Sequence, residues 1–198
     1  MSRYDRCEFT IVDAADIPWQ WCYSAIELEQ TLNDICKGQR LQRILVGLHG
    51  YLESLRFDTN LLDLTYFGGG IYLIFDSIIV NLLIHADALI EYRFLQPYQV
   101  QFHNKKDSPP DDLFYRGTYY YDLKNQFELV YAGHIVSKIH ITKTNIYPFD
   151  LKDFDKDKAA AAEQRNDLPS AVFLQLDNGV QVCLVGSDIE YFYIELRK

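Results

Sequence analysis

The stretch "IHAD" sets His85 two residues before Asp87. Side chains alternate along a strand, so this spacing puts imidazole and carboxylate on one face, as in an oriented general base or a pair of metal ligands. A related stretch a hundred residues later ends in Asp188, and a site between the two would draw on His85, Asp87 and Asp188. The residue aligned with His85 in that later stretch is Gly186, and neither stretch supplies an HxH or HExxH ligand pair. An exposed or strand-end histidine is the plainer reading.

Other candidate chemistry fails on spacing. "DFDKDKAAAAEQ" places Asp153, Asp155 and Asp157 as an EF-hand loop begins, but Lys158 and Gln164 stand where the loop needs glycine and a bidentate glutamate. It reads as a solvated, charged link. "FGGGIY" at 67–72 leads into a strand rather than a helix N-terminus, so a turn or bulge is expected instead of a phosphate cradle. Cys7, Cys22, Cys36 and Cys183 include no CxxC pair and read as reduced, buried thiols, and no G-x-S-x-G elbow appears. No metal and no cofactor is implied.

The remaining signal is aromatic and acidic. Fifteen tyrosines and twelve phenylalanines make aromatic residues 15% of the chain, and "FYRGTYYYDL" gathers Tyr115, Tyr119, Tyr120 and Tyr121. Tyrosine anchors many protein interfaces because it combines a rigid apolar ring with a polar tip. Tyr147 and Phe149 lie beside Asp153, Asp155 and Asp157 in a second candidate binding segment.

The elements that would position these residues repeat. At an offset of 101, Tyr72 falls on Phe173, Leu73 on Leu174, Asp76 on Asp177, Ile79 on Val180, Leu83 on Leu184, Ile84 on Val185 and Asp87 on Asp188. "LDNGVQV" supplies Asp177, Asn178 and Gly179 for a hairpin turn between apolar-alternating runs. At an offset of 95, "LEQTLNDICKGQRLQRILV" matches "LKNQFELVYAGHIVSKIHI", pairing Gly38 with Gly133 and Ile44 with Ile139. Ser24 and Glu27 form a capping box and Gly38 suits a left-handed helix end, so each half is expected to open with a helix. A strand, a variable link, a hairpin and a closing strand follow. Residues 7–12 and 98–102 read as further strands, and the Ala run after Lys158 as a short exposed helix.

The expected fold is therefore α+β: a tandem duplication of a helix–strand–hairpin unit, pseudo-symmetric, with mainly antiparallel sheet. Residues 1–96 form the first half, 97–118 a connector with Ser108-Pro109-Pro110, and 119–198 the second half of one intimate unit.

Composition narrows the function. With 48% hydrophobic and 24% charged residues, the chain has a globular make-up. Its net charge is −9, and neither half is basic, which excludes a nucleic-acid binder that must neutralise phosphates. No membrane span is expected, because Ile71–Ile90 is interrupted by Asp76, Asn81, His85 and Asp87. The opening residues lack the apolar run of a signal peptide, so a cytoplasmic location is expected. The leading expectation is a non-enzymatic, acidic protein-binding module, in one version an immunity-type protein neutralising a basic partner. An enzyme or small-ligand protein with a site near His85 and Asp87 is the alternative. A structural subunit that forms homodimers through a sheet edge is the third reading.

Overall fold

The computed structural model describes residues 9–13, 17–48, 56–65, 67–84, 90–104, 119–144, 155–187 and 191–198. In chain order the elements are β1 (Phe9–Asp13), β2 (Gln20–Cys22), α1 (Ala25–Cys36), β3 (Arg40–Leu48), β4 (Arg56–Asp58), β5 (Leu61–Thr65), β6 (Phe67–Phe75), β7 (Ile79–Ile84), β8 (Ile90–Leu95), β9 (Val100–Asn104), β10 (Tyr119–Asp122), β11 (His134–Thr144), α2 (Lys156–Gln164), β12 (Leu168–Leu176), β13 (Gln181–Ser187) and β14 (Tyr191–Arg197). The fold is α+β and mostly sheet. Every strand pair is antiparallel, as the alternating patterns require.

The main sheet path runs β2-β8-β7-β6-β3-β11-β12-β13-β14-β5-β4. It contains two four-strand runs, β3-β6-β7-β8 and β11-β12-β13-β14, joined at β3 and β11. The joint is short: His134 faces Leu41 and Ile135 faces Arg40. Around it, Gly38 donates its N–H to Val136 O at 2.8 Å and Gly133 donates to Leu41 O at 2.8 Å. Both glycines hold φ above +80°, a left-handed conformation that side chains disfavour. The β4–β5 hairpin leaves the first run and extends the second, with β5 pairing β14. Both ends of the path, β2 and β4, are three-residue strands, too short to offer a long edge to another chain.

The first pairing of each run has one register. Leu41 faces Phe75, a bulge follows, and Arg43 faces Ile74; Val136 faces Leu176, a bulge follows, and Lys138 faces Gln175. Tyr72 and Phe173 occupy corresponding places. Beyond the hairpin turn the correspondence slips by one residue, because Ile74 faces Ile79 while Gln175 faces Gln181. Gly179, at φ +85°, accommodates the extra residue of the second turn. Leu82, not Leu83, therefore corresponds to Leu184, and the alignments of Ile79 with Val180 and Ile84 with Val185 do not hold.

Only the first half opens with a helix. Ser24 caps α1 by accepting from Glu27 N at 3.2 Å, and Leu28, Leu32 and Cys36 are buried beneath it. The expected second helix is absent, and residues 123–133 form turns. Their backbone N–H groups are committed elsewhere: Leu123 to Ile44 O, Glu128 to Thr59 O and Leu129 to Asn60 Oδ1. Phe127, Val130 and Tyr131 are also weak helix formers, and Tyr131 enters the core. α2 forms where the Ala run predicts a helix, but it is not wholly exposed. Ala159 and Ala162 pack with Leu168 against Trp21 and Tyr23.

One buried cluster joins the inner faces of both runs to α1, with Ile44, Leu73 and Leu82 from one and Ile139, Leu174 and Leu184 from the other. A second, smaller cluster lies on the other face of the first run. It contains Leu45, Tyr72, Ile79, Leu95, Val100 and Tyr120.

Candidate functional site

A buried polar row begins at Tyr72 of the second cluster. Tyr72 on β6 faces Asn81 on β7, and Asn81 faces Arg93 on β8, so one line of side chains crosses three strands on one face. Asn81 is wholly buried and Arg93 is 8% exposed. Arg93 Nε donates to Asn81 Oδ1 at 2.9 Å, its Nη2 approaches Tyr72 Oη at 3.4 Å, and Asn81 Nδ2 donates to Ile71 O at 3.1 Å. The guanidinium lies 4.4 Å from the centre of the Trp19 ring, where the ring's negative face offsets part of the lost hydration. Gly70, at φ +61°, completes the packing, since a Cβ there would meet Asn81 Nδ2 at 2.9 Å. Neither Arg nor Asn exchanges a proton at neutral pH. These two members of the row orient and donate hydrogen bonds without themselves acting as acid or base.

A second polar group anchors α1. Ser24 Oγ donates to Asp167 Oδ2 at 2.6 Å, Ala25 N donates to Asp167 O at 2.7 Å, and Lys143 Nζ lies 3.5 Å from Asp167 Oδ1. Asp167 is buried, and its charge sits at the positive end of the helix. Ser24 Oγ also accepts from Glu27 N, so the hydroxyl is committed to the cap. Burial pushes the Cys22 and Cys36 thiols up to about 12, far from a reactive thiolate at neutral pH.

Two histidine–carboxylate pairs stand nearer the surface. His134 Nδ1 lies 2.8 Å from Asp177 Oδ1, and the bond from His134 holds the Asp177 carboxyl below its ordinary range. His140 Nδ1 lies 2.8 Å from Glu29 Oε2, which also accepts from Ile141 N at 2.9 Å. Asn33 closes the neighbouring position, bonding both N and O of Ile139. Glu29 and Asn33 thus line the edge of β11 beyond its joint with β3. The match is geometric: four residues of helix rise about 6 Å and two residues of strand about 6.8 Å.

Of the residues singled out by sequence, the described ones lie on β10 and at the start of α2. Tyr120 is buried at 7% exposure with its ring edge-on to Tyr72 at 5.1 Å. Tyr119 and Tyr121 lie on β10 beside it. Asp155 and Asp157 are exposed at the start of α2, where Asp155 accepts from Lys158 N at 3.1 Å. Tyr115, Tyr147, Phe149 and Asp153, and the alternative set His85, Asp87 and Asp188, lie outside the described residues. Sequence reasoning missed Arg93 and Trp19. The available signal was Asn81, a lone amide in the apolar run "IVNLLI", which as a strand residue demands a buried partner.

No described group of three His, Cys, Asp or Glu side chains is placed to hold a metal ion. Among the described residues no helix is long and apolar enough to cross a membrane. Comparison with protein-family models, with curated proteins and with solved structures finds no match to this chain.

Proposed function

We propose that this chain is a non-enzymatic, acidic protein-binding module that neutralises a basic partner, as immunity-type proteins do. The observation carrying this reading is the net charge of −9, which steers a basic protein toward it and raises the encounter rate. Asp155 and Asp157, exposed at the start of α2, contribute to that field. Its fold is read as two copies of one duplicated unit. The common register and bulge of β3–β6 and β11–β12, and the reciprocal bonds of Gly38 and Gly133, support a pseudo-twofold at the joint.

The test is calorimetric titration of the purified chain with each basic protein encoded beside its gene, at low and high salt. One of them binds tighter than about 1 µM, and added salt weakens the binding. If none binds at that level, the partner reading is wrong.

A further inference from the structure

Three turns meet at one end of the second run. The β4–β5 turn holds Thr59 and Asn60, the loop before β11 holds Glu128, Leu129 and Val130, and the β12–β13 turn holds Asp177, Asn178 and Gly179. They are widely separated in sequence and fastened to one another by side-chain amides. Asn60 Oδ1 accepts from Leu129 N at 3.0 Å, and Asn60 O accepts from Leu196 N at 2.8 Å. Asn178 Nδ2 donates to Val130 O at 2.8 Å, while its Oδ1 accepts from Val180 N at 3.0 Å.

What these bonds hold in place is apolar and exposed. Val130 is 59% exposed and Leu61, next to Asn60, is 36% exposed. Core packing does not account for a valine held in the open between two amide-fastened turns. The turns themselves carry charge of one sign: Asp58, Glu128 and Asp177 are exposed, and 58–61, 128–130 and 177–180 contain no Lys or Arg, while Asp177 is already engaged by His134 and acted on by Arg40. Arg197, just past Leu196, is engaged by Glu195 at 2.7 Å. A rigid apolar contact on turns that also carry exposed carboxylates loses little conformational entropy on binding and favours the opposite charge.

We infer that this three-turn face is the docking surface, and that its occupant is a basic protein presenting an apolar patch flanked by Lys or Arg. The inference rests on the partner-binding reading and names where it takes place. It predicts that Val130 and Leu61 are anchors, that Asp58 and Glu128 supply electrostatic selection, and that Asn60 and Asn178 keep the face preformed.

The experiment uses the full chain and the same probes, the basic proteins encoded beside its gene. Four variants are compared with the parent: Val130→Lys; the double variant Asp58→Asn with Glu128→Gln, which keeps the acceptor at Asp58; and two controls, Ile26→Lys and Tyr98→Lys, at apolar residues exposed elsewhere. All sites are on the surface, and equal melting temperatures confirm folding. The inference expects Val130→Lys and the double variant to weaken binding at least about tenfold and the controls less than about twofold. A probe that binds the parent and both face variants equally overturns the face and leaves the partner reading standing. If no probe binds the parent, the partner reading falls and this inference falls with it.

Discussion

Asn33 bonds both backbone groups of Ile139, donating Nδ2 to its carbonyl at 2.7 Å and accepting its N–H at 2.8 Å. One helical side chain thereby does what a neighbouring strand would do for that residue. The corresponding Ile44 is served differently, its N–H bonding Tyr131 Oη at 3.2 Å and its carbonyl accepting from Leu123 N.

Asn33→Ala is therefore expected to destabilise the protein by about 2–3 kcal/mol, since it leaves a donor and an acceptor unmade near the core. Asn33→Asp keeps the acceptor but sets a carboxylate oxygen against the Glu29 and Ile139 carbonyls to which Nδ2 now donates, so its loss is at least as large. Urea denaturation of the three proteins checks the order, and equal midpoints for parent and Asn33→Ala would remove the strand-substitute role.

Three of the four left-handed glycines among the described residues separate two costs. Gly38 and Gly133 have no atom within 4 Å of a built Cβ, whereas at Gly70 it meets Asn81 Nδ2 at 2.9 Å. Alanine at 38 or 133 is expected to cost about 1–2 kcal/mol, the backbone penalty alone. Alanine at 70 costs more, because the Asn81 amide must also move. Thermal melts of the single variants give the ranking, and a Gly70→Ala loss no larger than the others contradicts the crowding at Asn81.

Removing Arg93 strands Asn81. Arg93→Ala is expected to cost about 3 kcal/mol, combining a charge-assisted bond with the contact to Trp19. Arg93→Lys recovers only part, lacking the planar guanidinium. Pairing Asn81→Leu with Arg93→Met costs less than the two single changes summed, since both polar partners leave together. A double-mutant cycle measures this, and strict additivity would mean that the two side chains are not coupled.

pH acts from both ends. The Asp177 carboxyl is held below its ordinary value, first by the bond from His134, so its contribution is complete above the usual carboxylate range and is lost as pH falls through the lowered value. His134→Ala is expected to move the carboxyl titration, followed by NMR, back upward. Cys22 and Cys36 titrate the other way: folding raises each thiol from 9.0 to about 12. Their contribution is complete below 9 and is lost as pH rises toward 12. Both are expected to resist a thiol reagent at pH 8 until the protein unfolds, and rapid modification of the native protein would contradict their burial.

Local signals carried the sequence reading where they agreed with the final packing. Ser24 caps α1 and "RLQRILVGL" forms β3 as read, Gly38 between them is left-handed but gives its N–H to Val136 O instead of the helix, and the Asp-Asn-Gly turn closes β12 and β13. The reading failed where a distant partner decided the structure. Residues 123–133 have enough apolar spacing for a helix, but Thr59 and Asn60 take their N–H groups. The one-residue slip at Leu83 arose because turn length is set by backbone geometry at Gly179, to which an apolar alignment is blind. The row of Tyr72, Asn81 and Arg93 was hidden for a related reason: its members are adjacent only after three strands pair.

The pairing of β5 with β14 also governs how the chain is made. Leu61–Thr65 emerges first, and its partner Tyr191–Glu195 lies 126 to 134 residues further along the chain. During translation the β4–β5 hairpin leaves the ribosome with one side unpaired and waits for that distant strand to emerge. Contacts this distant in sequence form late and slow the rate of folding. The nascent chain therefore carries an open strand until Tyr191–Glu195 arrives to cover it.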